Sequence, residues 1–566
     1  MAGDDILSAL GDDILRRILY FLPFKEAAST SVLSRRWGSL WRSSGAVNLA
    51  VRLHKDKSSD DYYSFVRAAR AALDAADAPV TRLTVRLQAD SDGAIYKFLG
   101  RPSMGLGGID VLTPRDVTGD LLSHPAARRV EELRVAAVVG MEDDTPSVPV
   151  LEEETGWMIG NYGIGTLPSQ TLRVLDLTRC RELMPRATAA AFPCLETLRL
   201  RRSTVDTGYL QALIDAAPRL ATMHLESVFF QGTYGAGLRL SCPTITELVL
   251  ELCGNDARGH SAIEIDAPRL RYFRYKGSER PFSLSSPAPD MARVDLHFLQ
   301  DHGYHLHDQV RKDKTLELFW KFVRNFTSTR LLKLKVNYLV DIAVVHETEF
   351  LCTFRNAVHV ELDGVHHRTT KAASLAIANL LHCCPVVRHL RLKLRTTHQS
   401  GSTEAQPFLE MKDRLDYDRS VNLFKRRPRL NPMTLDDSGT IYDEAPGVPG
   451  LSGHSFACLQ TSLTRVSLQF RMDNSRCLGA QLVKFFADNA QVLKEIYVDT
   501  GNWKLCEHMN LNVERWIAPT SSKARLKRKN LAESSWEFSK FARNSRNSRT
   551  ELRGLATSFT VLPLQR

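Results

Sequence analysis

The chain has 566 residues, and its apolar content of 43% is ordinary for a soluble globular protein. No apolar run reaches the ~18 residues that a membrane helix needs, and no basic-then-apolar leader opens the chain, so we expect it in the nucleus or the cytoplasm. The net charge of +11 is modest for this length, and it permits nucleic-acid binding without arguing for it.

A strongly apolar segment near the N-terminus predicts two helices. Apolar residues recur at four-residue steps from Ile14 to Leu22, after two aspartates and before Pro23. This spacing gives one helix an apolar stripe, negative charge favours its start, and proline ends it. A second run, from Val32 to Trp41, has apolar residues at steps of three and four. A unit this small cannot bury so much apolar surface alone, so the segment predicts contact with a partner.

This segment closely resembles an F-box, the helical module that binds the Skp adaptor of cullin–RING ubiquitin ligases. The matching parts are the leucine–acid opening at residues 10–13, the run ILRRILYFLP and the run SVLSRRWGSLW. Gly11 stands where the family usually has proline after Leu10. We assign residues 4–45 to the F-box. The alternative interpretation is a small helical cap that closes the core of the next domain.

The resemblance implies an apolar set of adaptor-binding residues, with Trp37 as the leading hot spot because large aromatic side chains often dominate interfaces. Some members of the set must instead pack the helices on each other, and the sequence does not separate the two groups. The set is Leu10, Ile14, Ile18, Leu22, Val32, Leu33, Trp37, Leu40 and Trp41.

Residues 46–79 are predicted to form a helical linker, because the stretch from Tyr62 to Leu73 is alanine-rich and amphipathic. An L-x-x-L-x-L pattern then recurs through residues 80–396. Four copies are spaced by 25 residues, and a proline opens each copy, at Pro193, Pro218, Pro243 and Pro268. This period is typical of leucine-rich repeats, in which each copy forms a short strand and the stacked copies share a parallel sheet and a core.

Less regular copies surround this block. They begin at Val80, Val130, Leu172, Met291, Leu331, Val358 and Val387. Residues between the two buried strand positions face away from the core, so they form mixed-charge ladders on one face. These ladders are candidates for target binding, and they are equally compatible with a plain solvated face. The candidate residues are Arg199, Arg201, His224, Glu226, Glu251, Arg274 and Lys276.

Two segments interrupt the repeat pattern, and ten cysteines are scattered along the chain. Residues 300–328 contain His302, His305 and His307, but no cysteine or carboxylate completes a metal-binding set, so no metal site is predicted. Residues 397–453 are rich in Ser, Gly, Pro and charge, and we expect a long, largely disordered loop. The ten cysteines form no C-x-x-C pair and are interpreted as reduced, mostly buried thiols.

The C-terminal part resembles the FBD domain that follows F-box and leucine-rich repeats in plant proteins. The run LVKFFADNAQVLKEIYV carries this resemblance, which we assign to residues 454–519, and such a unit would cap the repeats. Residues 520–566 form a basic tail, with five cations between Lys523 and Lys529. We prefer a solvated tail over the alternative, a nuclear-import or nucleic-acid patch.

Catalytic motifs are missing from the sequence. It contains no G-x-x-x-x-G-K-[ST] phosphate loop, no G-x-S-x-G elbow and no H-E-x-x-H helix. We therefore predict no enzyme activity, no cofactor and no metal.

The predicted fold class is α/β, with a helical F-box, a leucine-rich-repeat solenoid built as a parallel β-sheet horseshoe, and an FBD-like α+β cap. The resemblance implies a substrate receptor of an SCF-type ubiquitin ligase. Its partners would be a Skp-type adaptor, the cullin and RING subunits, and an unknown target protein. Two alternatives stay open: a scaffold that binds the adaptor without delivering a substrate, and a nucleic-acid-associated protein that uses the basic tail.

Overall fold

The structure, a computed structural model, describes residues 10–54, 60–99, 115–139, 162–164, 167–168, 170–183, 191–231, 237–254, 261–299, 309–344, 351–366, 371–396, 448, 451–452, 454–470, 478–499 and 525–528. The described residues form two compact units, one ending at Asp290 and the other beginning at Met291.

Residues 10–44 form an N-terminal helical unit. It comprises α1 (Asp12–Leu19), α2 (Phe24–Ser29), a 3-10 turn (Thr30–Val32) and α3 (Trp37–Leu40). The first predicted helix is confirmed: two aspartates occupy its first turn, and the carbonyl of Gly11 accepts hydrogen bonds from the N–H groups of Ile14 and Leu15. The prediction of a single second helix is wrong, because residues without helical structure separate the 3-10 turn from α3.

Eight described strands form the main sheet of the first unit, and all neighbours in it are parallel. In spatial order they are β1 (Ala46–Leu53), β2 (Arg82–Ala89), β3 (Glu132–Val139), β5 (Val174–Thr178), β7 (Thr197–Arg201), β9 (Thr222–Glu226), β12 (Glu247–Glu251) and β14 (Tyr272–Gly277). The strand β1 lies in the segment predicted as a helical linker, so that prediction is wrong for residues 46–53.

Smaller elements complete the first unit. Two short parallel pairs join β4 (Tyr162–Ile164) to β6 (Cys180–Leu183) and β8 (Thr204–Asp206) to β10 (Phe229–Gln231). Three further strands pair in the order β11 (Leu238–Ser241), β13 (Ile263–Asp266) and β15 (Phe282–Leu284). The helices are α4 (Asp60–Asp74), α5 (Asp92–Phe98), α6 (Val117–Leu122) and α7 (Thr207–Asp215), with a 3-10 turn at Pro125–Arg129.

The described strands of the second unit also pair in parallel. In spatial order its described strands are β16 (Arg293–Phe298), β17 (Leu331–Tyr338), β18 (His359–His366), β19 (His389–Thr396), β20 (Arg465–Phe470), β21 (Glu495–Asp499) and β22 (Arg525–Arg528). Its helices are α8 (Gln309–Arg324), α9 (Lys371–Cys383), α10 (Ala457–Thr461) and α11 (Leu478–Asn489), with a 3-10 turn at Leu339–Ile342.

The repeated apolar positions form the core of each unit. In the regular block the first motif position is fully buried in every copy, and the two later positions face the same interior. They pair in register from strand to strand, as in the row Leu198, Met223, Leu248. The predicted parallel sheet is therefore confirmed.

One predicted repeat is out of register by two residues. The strand pairing places Leu332 and Leu334, rather than Leu334 and Val336, opposite Val294 and Leu296. The first motif position of this copy is then Thr329, which is fully buried.

A residue in left-handed conformation follows four consecutive strands of the first unit. Arg179, Arg202, Ser227 and Leu252 have φ values of 63°, 46°, 52° and 55°. Each N–H donates to a carbonyl at the end of the next strand, as from Ser227 to Glu251 at 2.7 Å. The reversal of φ turns the chain out of the sheet while this hydrogen bond keeps the ladder paired for one more rung.

The C-terminal strands and the helix between them were predicted correctly, but they continue the sheet of the second unit. The strand β20 pairs in parallel with β19, and Phe486 of α11 is fully buried. Residues 525–528 of the predicted basic tail form β22, which pairs with β21. Of the predicted disordered loop, only Val448 and residues 451–452 are described, and Val448 and Leu451 are buried. The other residues of that loop lie outside the described residues.

Candidate functional site

The N-terminal helical unit has a core of its own. Leu15 and Leu19 of α1 pack with Ala27 of α2 and with Trp37 and Leu40 of α3. Three further predicted adaptor-binding residues are only partly buried and pack against this core: Leu10, Leu22 and Trp41.

The burial of two predicted contact residues corrects the sequence interpretation. Trp37 is only 7% exposed and Leu40 only 4%, so neither side chain offers surface to a partner. Trp37 is therefore not a surface hot spot in this structure. Its spacing from Leu40 places both on the inner side of α3, where a large ring fills the space between three short helices.

The other four predicted residues are exposed. Ile14 and Ile18, one turn apart on α1, are 52% and 39% exposed, while Val32 and Leu33 are 85% and 62% exposed. An ion pair of 2.7 Å between Arg36 Nε and Asp12 Oδ1 ties the segment after Leu33 to the start of α1. Four exposed aliphatic side chains on so small a unit form an apolar surface that favours contact with another protein. We call these four residues the outer aliphatic set.

Phe21 was missed by the sequence analysis. Its ring is 47% exposed, and the guanidinium groups of Arg17 and Arg82 lie 4.9 and 5.0 Å from its centroid. It follows Ile14 by seven residues and Ile18 by three, which is the spacing of one helix face. That spacing was the available signal.

Polar contacts hold the helical unit on the sheet. The amide Nδ2 of Asn48, on β1, donates to the carbonyl oxygens of Tyr20 and Leu22 at 3.0 and 2.9 Å. The guanidinium of Arg82, on β2, lies 5.2 Å from the centroid of the Tyr20 ring. Because these carbonyls lie just beyond the last residue of α1, where intrahelical donors run out, Asn48 fixes the end of the helix against the first strand.

The predicted charged ladders exist on the first unit. The register places Arg199, His224, Val249 and Arg274 in one row. The next row is Arg201, Glu226, Glu251 and Lys276. The structure therefore confirms the arrangement of these residues, whereas their contact with a target stays a prediction.

Several ladder residues are already paired within the chain. Arg201 Nη2 lies 2.9 Å from Asp176 Oδ1, and Arg274 Nε lies 2.8 Å from Glu251 Oε1. His224 Nε2 lies 2.9 Å from Glu247 Oε1. Asp176 and Glu247 were not predicted as members of the ladders. Asp176 precedes the four regular copies, and Glu247 lies in the row before that of His224.

Arg199 is half-buried in its row. Its Nε atom is buried and has no hydrogen-bond partner among the described residues. Burial lowers the pKa of Arg199, and the nearby carboxylate of Asp176 partly opposes this effect.

A second charged ladder, on the second unit, was not predicted. The carboxylate of Glu361, on β18, is 8% exposed and lies between two ammonium groups, Lys393 Nζ at 2.9 Å and Lys333 Nζ at 3.1 Å. Arg391 Nη1 lies 3.8 Å away. Burial alone would raise the pKa of Glu361, but the two lysines together outweigh it and lower the pKa to about 2. The carboxylate is therefore ionised at neutral pH.

The described residues offer no metal site, and burial suppresses the ionisation of several thiols. They contain no group of three or more His, Cys, Asp or Glu that could hold a metal ion. Burial raises the pKa of Cys352 and Cys458 to about 11 and that of Cys242 and Cys253 to about 12, so few of these thiols ionise at neutral pH. The three histidines at 302, 305 and 307 lie outside the described residues.

Among the described helices, none combines the length and the apolar character that crossing a bilayer requires.

Two family models match the chain. The F-box domain matches residues 7–46, which include all nine predicted adaptor-binding positions. The model of the leucine-rich repeats of the FBD-associated F-box protein At5g56370 matches residues 164–361. The chain therefore contains an F-box and leucine-rich repeats of the kind found in FBD-associated F-box proteins. The strands β1, β2 and β3 precede the matched repeats, but they pair in register with them and belong to the same sheet.

Curated relatives from Arabidopsis thaliana are named for the same kinds of domain. The FBD-associated F-box protein At5g22730 is 26% identical over 52% of this chain and 56% of its own length, so the match spans about half of that relative. The F-box/FBD/LRR-repeat protein At1g80470 is 23% identical over 69% of this chain and 74% of its own. The putative F-box/LRR-repeat protein At4g15060 is 25% identical over 70% and 81%.

Proposed function

We propose that this F-box protein is the substrate-recognition subunit of an SCF-type ubiquitin ligase. Its F-box would bind a Skp-type adaptor, which joins it to the cullin and RING subunits, and its strand faces would hold a target protein. Such a complex would act in the nucleus or the cytoplasm. The observation that carries this proposal is the outer aliphatic set, which stays exposed although the F-box has filled its own core.

The energetics favour a protein contact at the outer aliphatic set. Burying an aliphatic side chain of this size gains about 1.5–3 kcal/mol relative to leaving it in water. Val32 and Leu33 are 85% and 62% exposed, so most of that gain is still available to a partner. Apolar anchors surrounded by polar side chains are the usual anatomy of such an interface.

The chain itself would not catalyse the formation of the covalent bond to ubiquitin. It would contribute proximity, by holding a target lysine near the activated ubiquitin that other subunits carry. The high pKa values of the four buried thiols named above agree with this division of roles, because a thiolate acceptor of ubiquitin would need a low pKa.

The decisive experiment replaces Val32 and Leu33 together with aspartate. We expect co-purification with a Skp-type adaptor to fall at least ten-fold, because a carboxylate at an apolar interface loses water without gaining a partner. Val340→Asp is the matched control, since Val340 is 46% exposed on the second unit. Unchanged adaptor binding by a correctly folded double variant would contradict the proposal.

A second measurement separates a substrate receptor from an adaptor-binding scaffold. Proteins captured with the full chain and with the double variant are compared under proteasome inhibition. The receptor predicts ubiquitin conjugates on captured proteins, and it predicts that they disappear in the double variant. Capture without conjugates, despite bound cullin and RING subunits, would favour the scaffold.

A further inference from the structure

A strongly cationic surface lies on the second unit, on the strands β17, β18 and β19. The register brings Lys333, Glu361 and Arg391 into one row and Lys335, Asp363 and Lys393 into the next. Arg395 follows on β19, beside Asp363. On these three strands, five cations against two carboxylates leave an excess of three positive charges, and the neighbouring strand β16 places the carboxylate of Asp295 beside Lys333. We call the seven residues on the three strands the cationic ladder.

Part of the excess positive charge is concentrated around the carboxylate of Glu361. One carboxylate is shared by Lys333, Arg391 and Lys393, at 3.1, 3.8 and 2.9 Å. The two lysines form direct ion pairs, whereas the distance to Arg391 is too long for a hydrogen bond. The cluster thus keeps two positive charges, and the side chains of its cations are 29–44% exposed.

The fold holds these cations in place before any ligand arrives. The inward residues of the same strands, such as Leu334, Leu362 and Leu392, are nearly or fully buried, so the backbone beneath the ladder is fixed. Neighbouring strands are ~4.8 Å apart, which spaces the charged side chains at regular intervals across the face. Fixed cations lose less conformational entropy on binding than mobile ones.

The chemistry favours an acidic protein segment over nucleic acid. In the two rows that contain Glu361 and Asp363, the described strands β17–β19 present no outward Phe, Trp or Tyr on which bases would stack; Tyr338 lies one row further on, opposite Val365. Glu361 and Asp363 lie within the same rows and would repel a continuous phosphate backbone. Separate carboxylates, each facing one or two ammonium groups, match the pairing that Glu361 already makes.

We propose that the cationic ladder binds an Asp- and Glu-rich segment of a partner protein. This inference deepens the proposed function, on which it rests for the role of that partner as the target to be ubiquitinated. The binding site itself requires only the second unit. The net positive charge of the ladder attracts the segment, and the ion pairs that form fix its position.

The test measures binding of a fluorescent octapeptide of alternating Glu and Asp to the purified full chain. The triple variant Lys333→Gln/Arg391→Gln/Lys393→Gln should weaken this binding at least ten-fold. The matched control Arg355→Gln/Lys371→Gln/Lys494→Gln removes the same residue types from exposed positions of the second unit, away from the ladder. It should change binding less than two-fold.

Further arms distinguish an acidic peptide from other classes of ligand. An octapeptide of Gln and Asn should not bind, and affinity for the acidic peptide should fall as salt increases. If a single-stranded octanucleotide binds more tightly than the acidic peptide, and the triple variant abolishes that binding, the site is one for nucleic acid and the proposal is wrong. Equal peptide binding by the triple variant and the wild type would also overturn it.

The outcomes separate this inference from the proposed function. The triple variant should still bind the Skp-type adaptor, and the Val32→Asp/Leu33→Asp variant should still bind the acidic peptide. If the triple variant does not fold, Lys393→Gln alone serves as the test and should weaken peptide binding about three-fold, since an exposed ion pair contributes modestly. Undiminished binding by a folded Lys393→Gln variant would contradict the inference.

Discussion

Glu361 carries its negative charge in a nearly buried position, so its protonation is coupled to the stability of the second unit. Two lysines lower its pKa from the ordinary 4.5 to about 2, although burial works in the opposite direction. A lowered pKa means that the folded state prefers the ionised group. The stabilisation is therefore fully present above about pH 4.5 and is lost as the pH falls towards 2.

We predict that Glu361→Gln destabilises the second unit at pH 7 by up to about 3 kcal/mol, at ~1.4 kcal/mol per pKa unit. The difference from the wild type should shrink below pH 4.5 and vanish near pH 2. Urea unfolding followed by hydrogen exchange of β18 would measure it. Glu226→Gln, on an exposed rung of the first unit, is the control for removing a surface charge. A difference that is the same at about pH 7 and about pH 3 would refute this coupling.

Trp37 has a structural role that its sequence position did not reveal. Truncation of a buried tryptophan leaves a cavity and typically costs about 3–5 kcal/mol. We predict that Trp37→Ala reduces adaptor binding only as a consequence of losing the F-box fold, with faster hydrogen exchange in α1. The Val32→Asp/Leu33→Asp variant should lose adaptor binding while α1 stays protected. Protected α1 in Trp37→Ala, together with lost binding, would instead restore Trp37 as a contact residue.

The turn that follows each of four strands in the first unit contains a residue with positive φ, a conformation that costs energy for L-amino acids. Ser227 has a φ of 52°, and its N–H keeps the ladder bond to Glu251. Glycine enters this region without a steric penalty, which is of order 1–2 kcal/mol for other residues. We predict that Ser227→Gly stabilises the first unit by about 0.5–1 kcal/mol, after the entropic cost of glycine is subtracted.

The measurement for this turn is chemical unfolding of the wild type, Ser227→Gly and Ser227→Ala. The alanine variant keeps the Cβ atom and should gain nothing. If both variants lose stability equally, the hydroxyl of Ser227 matters more than its backbone conformation.

The residue before helix α1 also allows a prediction about stability. Gly11 has φ −65° and ψ 152°, and a Cβ atom placed there would meet nothing within 4 Å. Proline fixes φ near this value, and such replacements commonly gain about 0.4–1 kcal/mol by restricting the unfolded chain. We predict that Gly11→Pro slows hydrogen exchange in α1. Faster exchange would mean that proline disturbs Leu10 or the first turn.

The strands could be predicted from the sequence wherever the first motif position is a large apolar residue. Three failures share one cause: the residue three positions before the first inward strand position is Ser44 for β1, Thr329 for β17 and Ala357 for β18. The pattern was missed for β1, shifted by two residues for β17, and anchored for β18 on exposed Val358 instead of buried Ala357. Strand pairing resolves these cases, because neighbours in the sheet impose a register that one segment does not specify.

The candidate sites could be predicted only in part, for the same reason. The sequence supplied all four residues of the outer aliphatic set, but it also supplied Trp37 and Leu40, because helix periodicity does not say which side of a short helix faces a core. The cationic ladder was not predicted, since it depends on Lys333, Glu361 and Lys393 becoming neighbours across three strands.

For the whole molecule, the proposed function requires that the F-box keeps a fixed orientation on the sheet of the first unit. Asn48 contributes to this by binding two carbonyls at the end of α1. We predict that Asn48→Ala speeds hydrogen exchange at residues 20–22 and slows ubiquitin transfer to a captured target several-fold, while adaptor affinity changes less than two-fold. Ubiquitin transfer depends on the position of the target relative to the activated ubiquitin, so its rate should fall even where the affinity for the adaptor is unchanged.

The control for this prediction is Asn356→Ala, which removes an amide that donates to the carbonyl of Ser328 in the second unit, at 3.3 Å. It should affect neither exchange at residues 20–22 nor transfer. If Asn48→Ala leaves transfer unchanged while exchange becomes faster, the orientation of the F-box is not limiting.

The constant 25-residue interval from Pro193 to Pro268 makes this part of the gene extensible. Duplicating one interval would insert another strand, another left-handed turn and another outward rung, all in phase with what precedes and follows. The recognition surface would widen by one strand spacing, ~4.8 Å, without redesign of the interior. Inserting a single amino acid within a strand would instead exchange its inner and outer faces, so lineages can be expected to lengthen this block by whole modules.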